Sequence, residues 1–460
     1  MKLVYNVEDR PAPGKLIICA FQQMLAILAA TIAVPMTVGN GLTPAAAMFG
    51  AGVGSIVYQL FTRFKSPVFL GSSFAFLGSM AAAFAGGVSM SLGWLGLILG
   101  AIFAGLVYVV IAIVVKKVGV DWINKLMPPV VIGPTVAIIG LSLAGNAVGD
   151  LQTADMGGSP YIAILCGLIT LAVVMICSVY GKKMSKLVPF VIGILAGYAV
   201  AALFTVVGII AGVDALKVVD FSVFKTYMVP DGAVTLKTFF ALPDLTFTKA
   251  IEGLKELSFS YVLTIFVAYV PVAFVVFAEH VADHKNLSSI IERDLLKDPG
   301  LDKTLLGDGI GSIAGAFFGG CPNTTYGESI GCVAITGNAS VVTILVAAIG
   351  CIIFSFFTPL VAFIDSIPAC VMGGVCMSLY GFIAVSGLKM LQPVDLNDNR
   401  NLFTASVILI AGIGGLTLTF GNVTITEVAC AVILGILTNV LLNRKNSAAE
   451  APAEEKEIQE

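Results

Sequence analysis

The sequence predicts an all-α polytopic membrane protein of about fourteen transmembrane segments in a 7+7 inverted repeat, and three observations predict it. Apolar residues make up 58% of the 460 positions and charged residues only 12%, with a mean hydropathy of +1.00; a soluble domain carries roughly 25% charged residues. Apolar stretches long enough to cross a hydrocarbon layer of about 30 Å recur from end to end. One long polar connection, residues 213–256, divides those stretches into two sets of seven, and an odd number per set turns the second upside down relative to the first.

Residues 1–14 read as a polar cytoplasmic tail. The first long apolar run, from Leu16 to about Val38, exceeds the h-region of a signal peptide and reads as the first span, with no cleavable signal before it. The first repeat, residues 15–212, places spans near Ala29, Gly54, Phe76, Phe103, Ile138, Thr170 and Val200. The second, residues 257–445, places them near Ala268, Ala314, Ser329, Ala348, Met377, Ile410 and Leu434. The segments around Phe76, Ala314 and Ser329 read as too short or too interrupted for ordinary helices. Pro128-Pro129-Val130-Val131-Ile132-Gly133 in the fifth span is echoed by Pro368-Ala369-Cys370-Val371-Met372-Gly373 in the twelfth, a short match that supports the repeat. Residues 446–460 form an acidic tail, predicted to be disordered and cytoplasmic.

With the N-terminus inside, alternation places Arg63, Lys65, Lys116, Lys117, Lys182, Lys183, Lys186, Lys285, Arg293, Lys297, Lys303, Lys389, Arg400, Arg444 and Lys445 on one side, as the positive-inside rule requires. The exceptions, Lys217, Lys225, Lys237, Lys249 and Lys255, all belong to the long connection, which crosses largely regardless of charge. Both termini are thus expected on the cytoplasmic face of the cytoplasmic (inner) membrane.

The third and tenth spans occupy matching places in the two halves, and both are interrupted. The first break is Phe69-Leu70-Gly71-Ser72-Ser73-Phe74-Ala75-Phe76 and the second is Gly319-Gly320-Cys321-Pro322-Asn323-Thr324-Thr325-Tyr326-Gly327-Glu328. Proline cannot donate a backbone hydrogen bond, glycine loosens a helix, and Ser, Thr and Asn satisfy backbone groups locally. Short extended stretches are therefore expected there. Such backbone at membrane depth is tolerated only where it is enclosed by protein or lines a cavity, and paired breaks point to a transporter's substrate site. Ordinary glycine and serine packing between helices is the competing explanation; it accounts for neither the Pro-Asn-Thr-Thr run nor Glu328.

Glu279 and Glu328 lie well inside apolar segments, and a carboxylate near a bilayer centre costs roughly 2.5 to 3.5 kcal/mol even on the lenient insertion scale. Both are candidate substrate-binding groups. Asp283, four residues after Glu279, falls on the same helical face about 6 Å nearer the cytoplasm, so Glu279 and Asp283 are the candidate proton-coupling groups. The only two histidines, His280 and His284, form a second pair on a face rotated by about 100°. With no third ligand at hand they are expected to meet water or backbone at a helix end rather than a metal. Asp308, Asp365 and Glu427 read as solvated or capping residues near span ends. The nine cysteines form no C-x-x-C pair and read as small apolar fillers. No nucleophile with its base, no phosphate loop and no metal cluster is evident, so no enzyme and no cofactor is expected.

These stretches carry a resemblance. Ala278-Glu279-His280, Leu70-Gly71-Ser72-Ser73-Phe74-Ala75-Phe76 and Pro322-Asn323-Thr324-Thr325-Tyr326-Gly327-Glu328 resemble those of the nucleobase–cation symporter-2 family, also called nucleobase–ascorbate transporters, and within it the bacterial uracil permeases. The likeness runs from about Arg10 to Leu442. It implies a core domain (spans 1 to 4 and 8 to 11) and a gate domain (5 to 7 and 12 to 14), proton-coupled uptake of uracil, and a homodimer formed through the gate domain in the lipid bilayer. It assigns substrate contacts to the Glu279 and Glu328 carboxylates, the Phe74 and Gly327 backbone, and the Tyr326 and Tyr380 rings. Uracil is a flat neutral ring with two N–H donors and two carbonyl acceptors, which suits acceptor-only carboxylates, free backbone N–H groups and aromatic faces.

Three departures bear on the supporting residues Gln23, His280 and Ser329. Ser329 follows Glu328 where relatives have Asn; Asp283 stands where some uracil permeases carry a proton-linked histidine; and Gln22-Gln23 replaces the more usual Gln-His, which leaves Gln23 a structural hydrogen bond. A xanthine or purine permease remains the alternative within the family. An anion exchanger or channel of the same fold is the alternative outside it, disfavoured by two acidic residues with no intramembrane Lys or Arg.

Overall fold

The computed structural model describes residues 3–119, 127–182, 184–229, 232–420 and 423–449; Lys183, residues 230–231 of the long connection and the acidic tail beyond Ala449 lie outside them. Leaving short connecting turns unlabelled, the elements are α1 Pro13–Val38, α2 Pro44–Phe61, β1 Leu70–Ser72, α3 Leu77–Ala83, α4 Met90–Val118, α5 Pro129–Ser142, α6 Ala144–Gln152, α7 Pro160–Tyr180, α8 Pro189–Ala211, α9 Phe259–Ile291, α10 Leu301–Gly319, β2 Asn323–Thr325, α11 Gly327–Thr336, α12 Val341–Ser355, α13 Thr358–Asp365, α14 Ala369–Met390, α15 Asn399–Ile413, β3 Leu418–Phe420, β4 Val423–Ile425 and α16 Glu427–Ala449. Among the described residues eight helical segments are long and apolar enough to cross a membrane, and four shorter apolar helices accompany them.

The ends of these helices follow from local chemistry. Proline opens α1, α2, α7 and α8, where its missing N–H costs nothing. Side chains of Thr43, Ser89 and Ser258 accept the first free N–H groups of α2, α4 and α9, as N-caps do. Pro128 and Pro368, the first residues of the two similar hexapeptides, occupy the same place immediately before α5 and α14.

Two helix groups pack side by side. One joins α1, α2, α4, α9, α10 and α12 around the strands β1 and β2; the other joins α5 to α8 with α14 to α16. Strands β1 and β2 pair antiparallel, Leu70 with Thr325, Gly71 with Thr324 and Ser72 with Asn323. The extended backbone is satisfied at both ends: Ser73 N–H donates to Pro322 O at 2.9 Å and Tyr326 N–H to Phe69 O at 3.3 Å. Behind it, Ser55 Oγ accepts from Leu70 N–H (2.8 Å) and donates to Leu70 O (3.0 Å), while Gln59 Nε2 donates to Ser66 O and Val68 O. Polar side chains on α2 thus do the work that water does for a strand at a surface.

One expectation fails. The segment around Ala314 is not interrupted: α10 runs unbroken for 19 residues. Its glycines are close-approach points. A Cβ on Gly315 would lie 2.2 Å from the Asn323 side chain, and one on Gly50 of α2 would lie 2.5 Å from Gly315 O. Glycine in a membrane helix serves packing as readily as breakage, and the two leave the same sequence trace.

Candidate functional site

Helix α9 is 33 residues long and carries Glu279 and Asp283 on one face, as a four-residue spacing dictates. Both are half-buried and both line a cavity of about 580 Å³. The opposite wall is the first turn of α11, where Gly327, Glu328 and Gly331 line the same cavity; Leu379, Phe382, Ile383 and Ser386 of α14 close it from the second helix group. Toward the surface it is bounded by Lys186, Asn286, exposed Ile335 and Met390.

A smaller cavity of about 60 Å³ shares Glu279, Gly327, Glu328, Leu379 and Ile383, and adds Ser73, Phe74, Ala75 and Thr324 to Tyr326. Two helix starts meet there. Phe74 opens a single tight turn that leads into α3, and Gly327 opens α11, with Tyr326 as its N-cap. The first N–H groups of a helix have no intrahelical partner and mark its positive end. Two helix starts, beside the Glu279 and Glu328 carboxylates, thus present donors and acceptors to one space.

The remaining candidates surround this space without lining the larger cavity. Tyr326 OH donates to Ser72 O at 2.7 Å, which ties its ring to β1. Tyr380 packs edge-on to Phe74 at 5.7 Å and shares a hydrogen bond with Thr37 Oγ1 at 3.1 Å; it buttresses Phe74. Gln23 Nε2 donates to Ser329 Oγ, which also accepts from Phe69 N–H at 3.2 Å, so both residues fasten α1, β1 and α11 together.

His280 differs from expectation. It is fully buried, three turns before the end of α9, with Nδ1 2.7 Å from Asp308 Oδ2 and Nε2 3.0 Å from Thr304 Oγ1. Asp308 likewise is fully buried in the middle of α10 rather than solvated at a span end. His284 donates from Nδ1 to His280 O at 2.8 Å and meets Tyr58 OH at 2.7 Å through Nε2. Burial of a polar group requires such partners, and apart from His280 O, one turn away, these lie 24 to 226 residues off, beyond the reach of local spacing. Thr325 was also missed: its hydroxyl donates to Asp283 Oδ2 at 2.7 Å. Its place in the Pro-Asn-Thr-Thr-Tyr-Gly-Glu run was the one available signal. Asp365, at the end of α13, accepts from Tyr227 OH.

A family model described as Permease family, that of the nucleobase–cation symporter-2 proteins, matches residues 14–420. The chain belongs to that family. As a nucleobase–cation symporter-2 family member it is an integral membrane permease and not an enzyme. Two of the relatives it resembles are a uracil permease of Bacillus caldolyticus, 39% identical over 99% of this chain and 98% of that one, and a uracil permease of Bacillus subtilis, 36% identical over 96% and 95%. Among solved structures, the transmembrane domain of a cyanobacterial bicarbonate transporter, BicA, superposes with a TM-score of 0.59 at 13% identity, covering 94% of this chain and 96% of that one. At that identity the likeness is one of fold.

Proposed function

We propose that this permease is a proton-coupled symporter that imports uracil by alternating access. The observation that carries the reading is the meeting of Glu279, Asp283 and Glu328 with the opening turn of α11 around one cavity. Glu279 and Glu328 accept the N–H groups of the base, backbone N–H groups at Phe74 and Gly327 donate to its carbonyls, and Tyr326 and Tyr380 provide aromatic support, Tyr380 through Phe74. Glu279 or Asp283 carries the proton. The names of the relatives supply uracil. The chemistry of the site suits a neutral base with donors on one edge.

The same reading takes the two helix groups as core and gate domains of a fourteen-segment 7+7 inverted repeat, with β1 and β2 as the breaks in spans 3 and 10. Both termini face the cytoplasm and the gate domains of two copies form a homodimer in the inner membrane. Since Lys186 and Met390 at the cavity's outer end fall on the positive side of the chain, the cavity is open to the cytoplasm. The gate rocking against the core then closes it. An inward potential contributes roughly 2.3 kcal/mol per charge per 100 mV, enough for about fiftyfold accumulation if one proton accompanies each base.

Uptake of radiolabelled uracil into proteoliposomes with an imposed inward proton gradient tests this. Accumulation should collapse on adding a protonophore. Equal accumulation without any gradient would remove the coupling claim. The larger cavity also has room for a purine, so xanthine competing as well as unlabelled uracil would move the substrate assignment to purines.

A further inference from the structure

The polar interior does not end at the cavity. On the far side of β2, Tyr108 of α4, Ser312 of α10 and Asn323 of β2 line a void of about 10 Å³, together with Phe76, Gly105 and Thr324. All three polar residues are at most 5% exposed. Tyr108 OH, Ser312 Oγ and Asn323 Oδ1 have no hydrogen-bond partner, and neither has Asp308 Oδ1, one turn before Ser312 on α10. The remaining polar atoms of the same groups are engaged: Asn323 Nδ2 donates to Gly50 O at 3.0 Å, and Asp308 Oδ2 faces His280 Nδ1. Three orphaned oxygens lining one void in a packed interior call for an occupant.

We infer that Tyr108, Ser312 and Asn323 bind a single structural water molecule that joins α4 and α10 to strand β2. The volume is that of one water. The chemistry matches as well: the two hydroxyls donate to the water and the water donates to Asn323 Oδ1, three hydrogen bonds, the usual number for a buried water. A monovalent cation would need all three oxygens as acceptors and would turn both hydroxyl hydrogens away into the packing. Thr324 lines this void and the smaller cavity alike, so the water sits one residue behind the wall that carries Tyr326 and Glu328. It holds β2 from behind, as Ser55 holds β1. The assignment stands whichever solute the permease carries.

X-ray hydroxyl-radical labelling of the full chain in nanodiscs tests it, because radicals formed from a bound water oxidise the ring beside it. Tyr58 is the internal reference: it is fully buried, its hydroxyl meets Ser66 Oγ and His284 Nε2, and it does not line the void. Tyr108 is expected to label several-fold faster than Tyr58. In Ser312→Val, whose added bulk fills the void, its rate should fall to that of Tyr58. Equal rates in the unaltered protein overturn the proposal whether or not the variant folds. A melting temperature that drops when choline replaces sodium at constant ionic strength, with fast Tyr108 labelling lost, would overturn it in favour of a cation.

Discussion

Gly71 is where a single methyl group should do most damage. Its absent side chain makes room for the Tyr326 ring: a Cβ there would lie 2.4 Å from two ring carbons and 2.9 Å from the hydroxyl oxygen. Ordinary carbon contacts sit at about 3.5 to 4.0 Å, so Gly71→Ala must push the ring back by roughly 1 Å. The 2.7 Å bond from Tyr326 OH to Ser72 O then stretches beyond the range of a hydroxyl hydrogen bond. Overpacking costs about 1 to 3 kcal/mol and the lost bond about 1 more, for a total of about 2 to 4 kcal/mol. Tyr326 is also the N-cap of α11, so the shift reaches Gly327 and Glu328. Melting in detergent and equilibrium binding of labelled uracil should both respond, with affinity reduced by about tenfold or more, a change of 1.4 kcal/mol. Tyr326→Phe, which keeps the ring in place, should lose only the bond. If Gly71→Ala melts and binds like the unaltered protein, β1 and Tyr326 are not packed as described and the smaller cavity is not a base site.

Gly327→Ala separates binding from stability. Its Cβ would meet no protein atom within 4 Å but would project into the cavity, so melting should be unchanged while uracil binding weakens. Glu279→Gln and Glu328→Gln keep the shape and remove the charge; a charge-assisted bond is about twice as strong as a neutral one, so each should weaken uracil binding by roughly tenfold, and unchanged affinity in Glu279→Gln would remove that residue from the site. Outside the spans, hydrogen bonds from Lys65 and then Arg293 hold Asp298 down at about 2, at contacts of 2.7 and 2.6 Å. A depressed carboxylate stabilises above its unfolded value of about 3.9 and loses that contribution as pH falls toward its folded one. A melting curve should therefore show an extra loss between about pH 4 and 2 that Asp298→Asn lacks.

What the sequence made legible was whatever a local pattern can carry. Glu279 and Asp283 share a wall because a four-residue spacing on a helix requires it. Extended backbone at Leu70–Ser72 and Asn323–Thr325 follows from stretches in which Gly, Pro, Ser and Thr withhold or divert helical hydrogen bonds. The assignment of Phe74 and Gly327 came through family likeness, and no property of phenylalanine or glycine alone would have found them. Asp308 was misread because its partner His280 lies 28 residues earlier on another helix, and the interruption expected near Ala314 failed because glycine content cannot tell a break from a close crossing. Thr325 was hidden by its own motif: three polar residues in a row, Asn323 to Thr325, do not reveal which one turns toward Asp283.

Helix α9 shows why two pairs with identical spacing came to opposite ends. Glu279 and Asp283 face the cavity, while His280 and His284, one residue further on, are rotated by about 100° into the packing against α10 and α2, where Asp308, Thr304 and Tyr58 receive them. A carboxylate facing open space stays accessible to water, proton and ligand; an imidazole enclosed on every side can act only through the groups that enclose it. The face of α9 therefore decides the role, and the residue type decides only what that role can be. It follows that replacing His280 should alter how α9 sits on α10 before it alters what the cavity can hold, whereas a change at Glu279 should do the reverse.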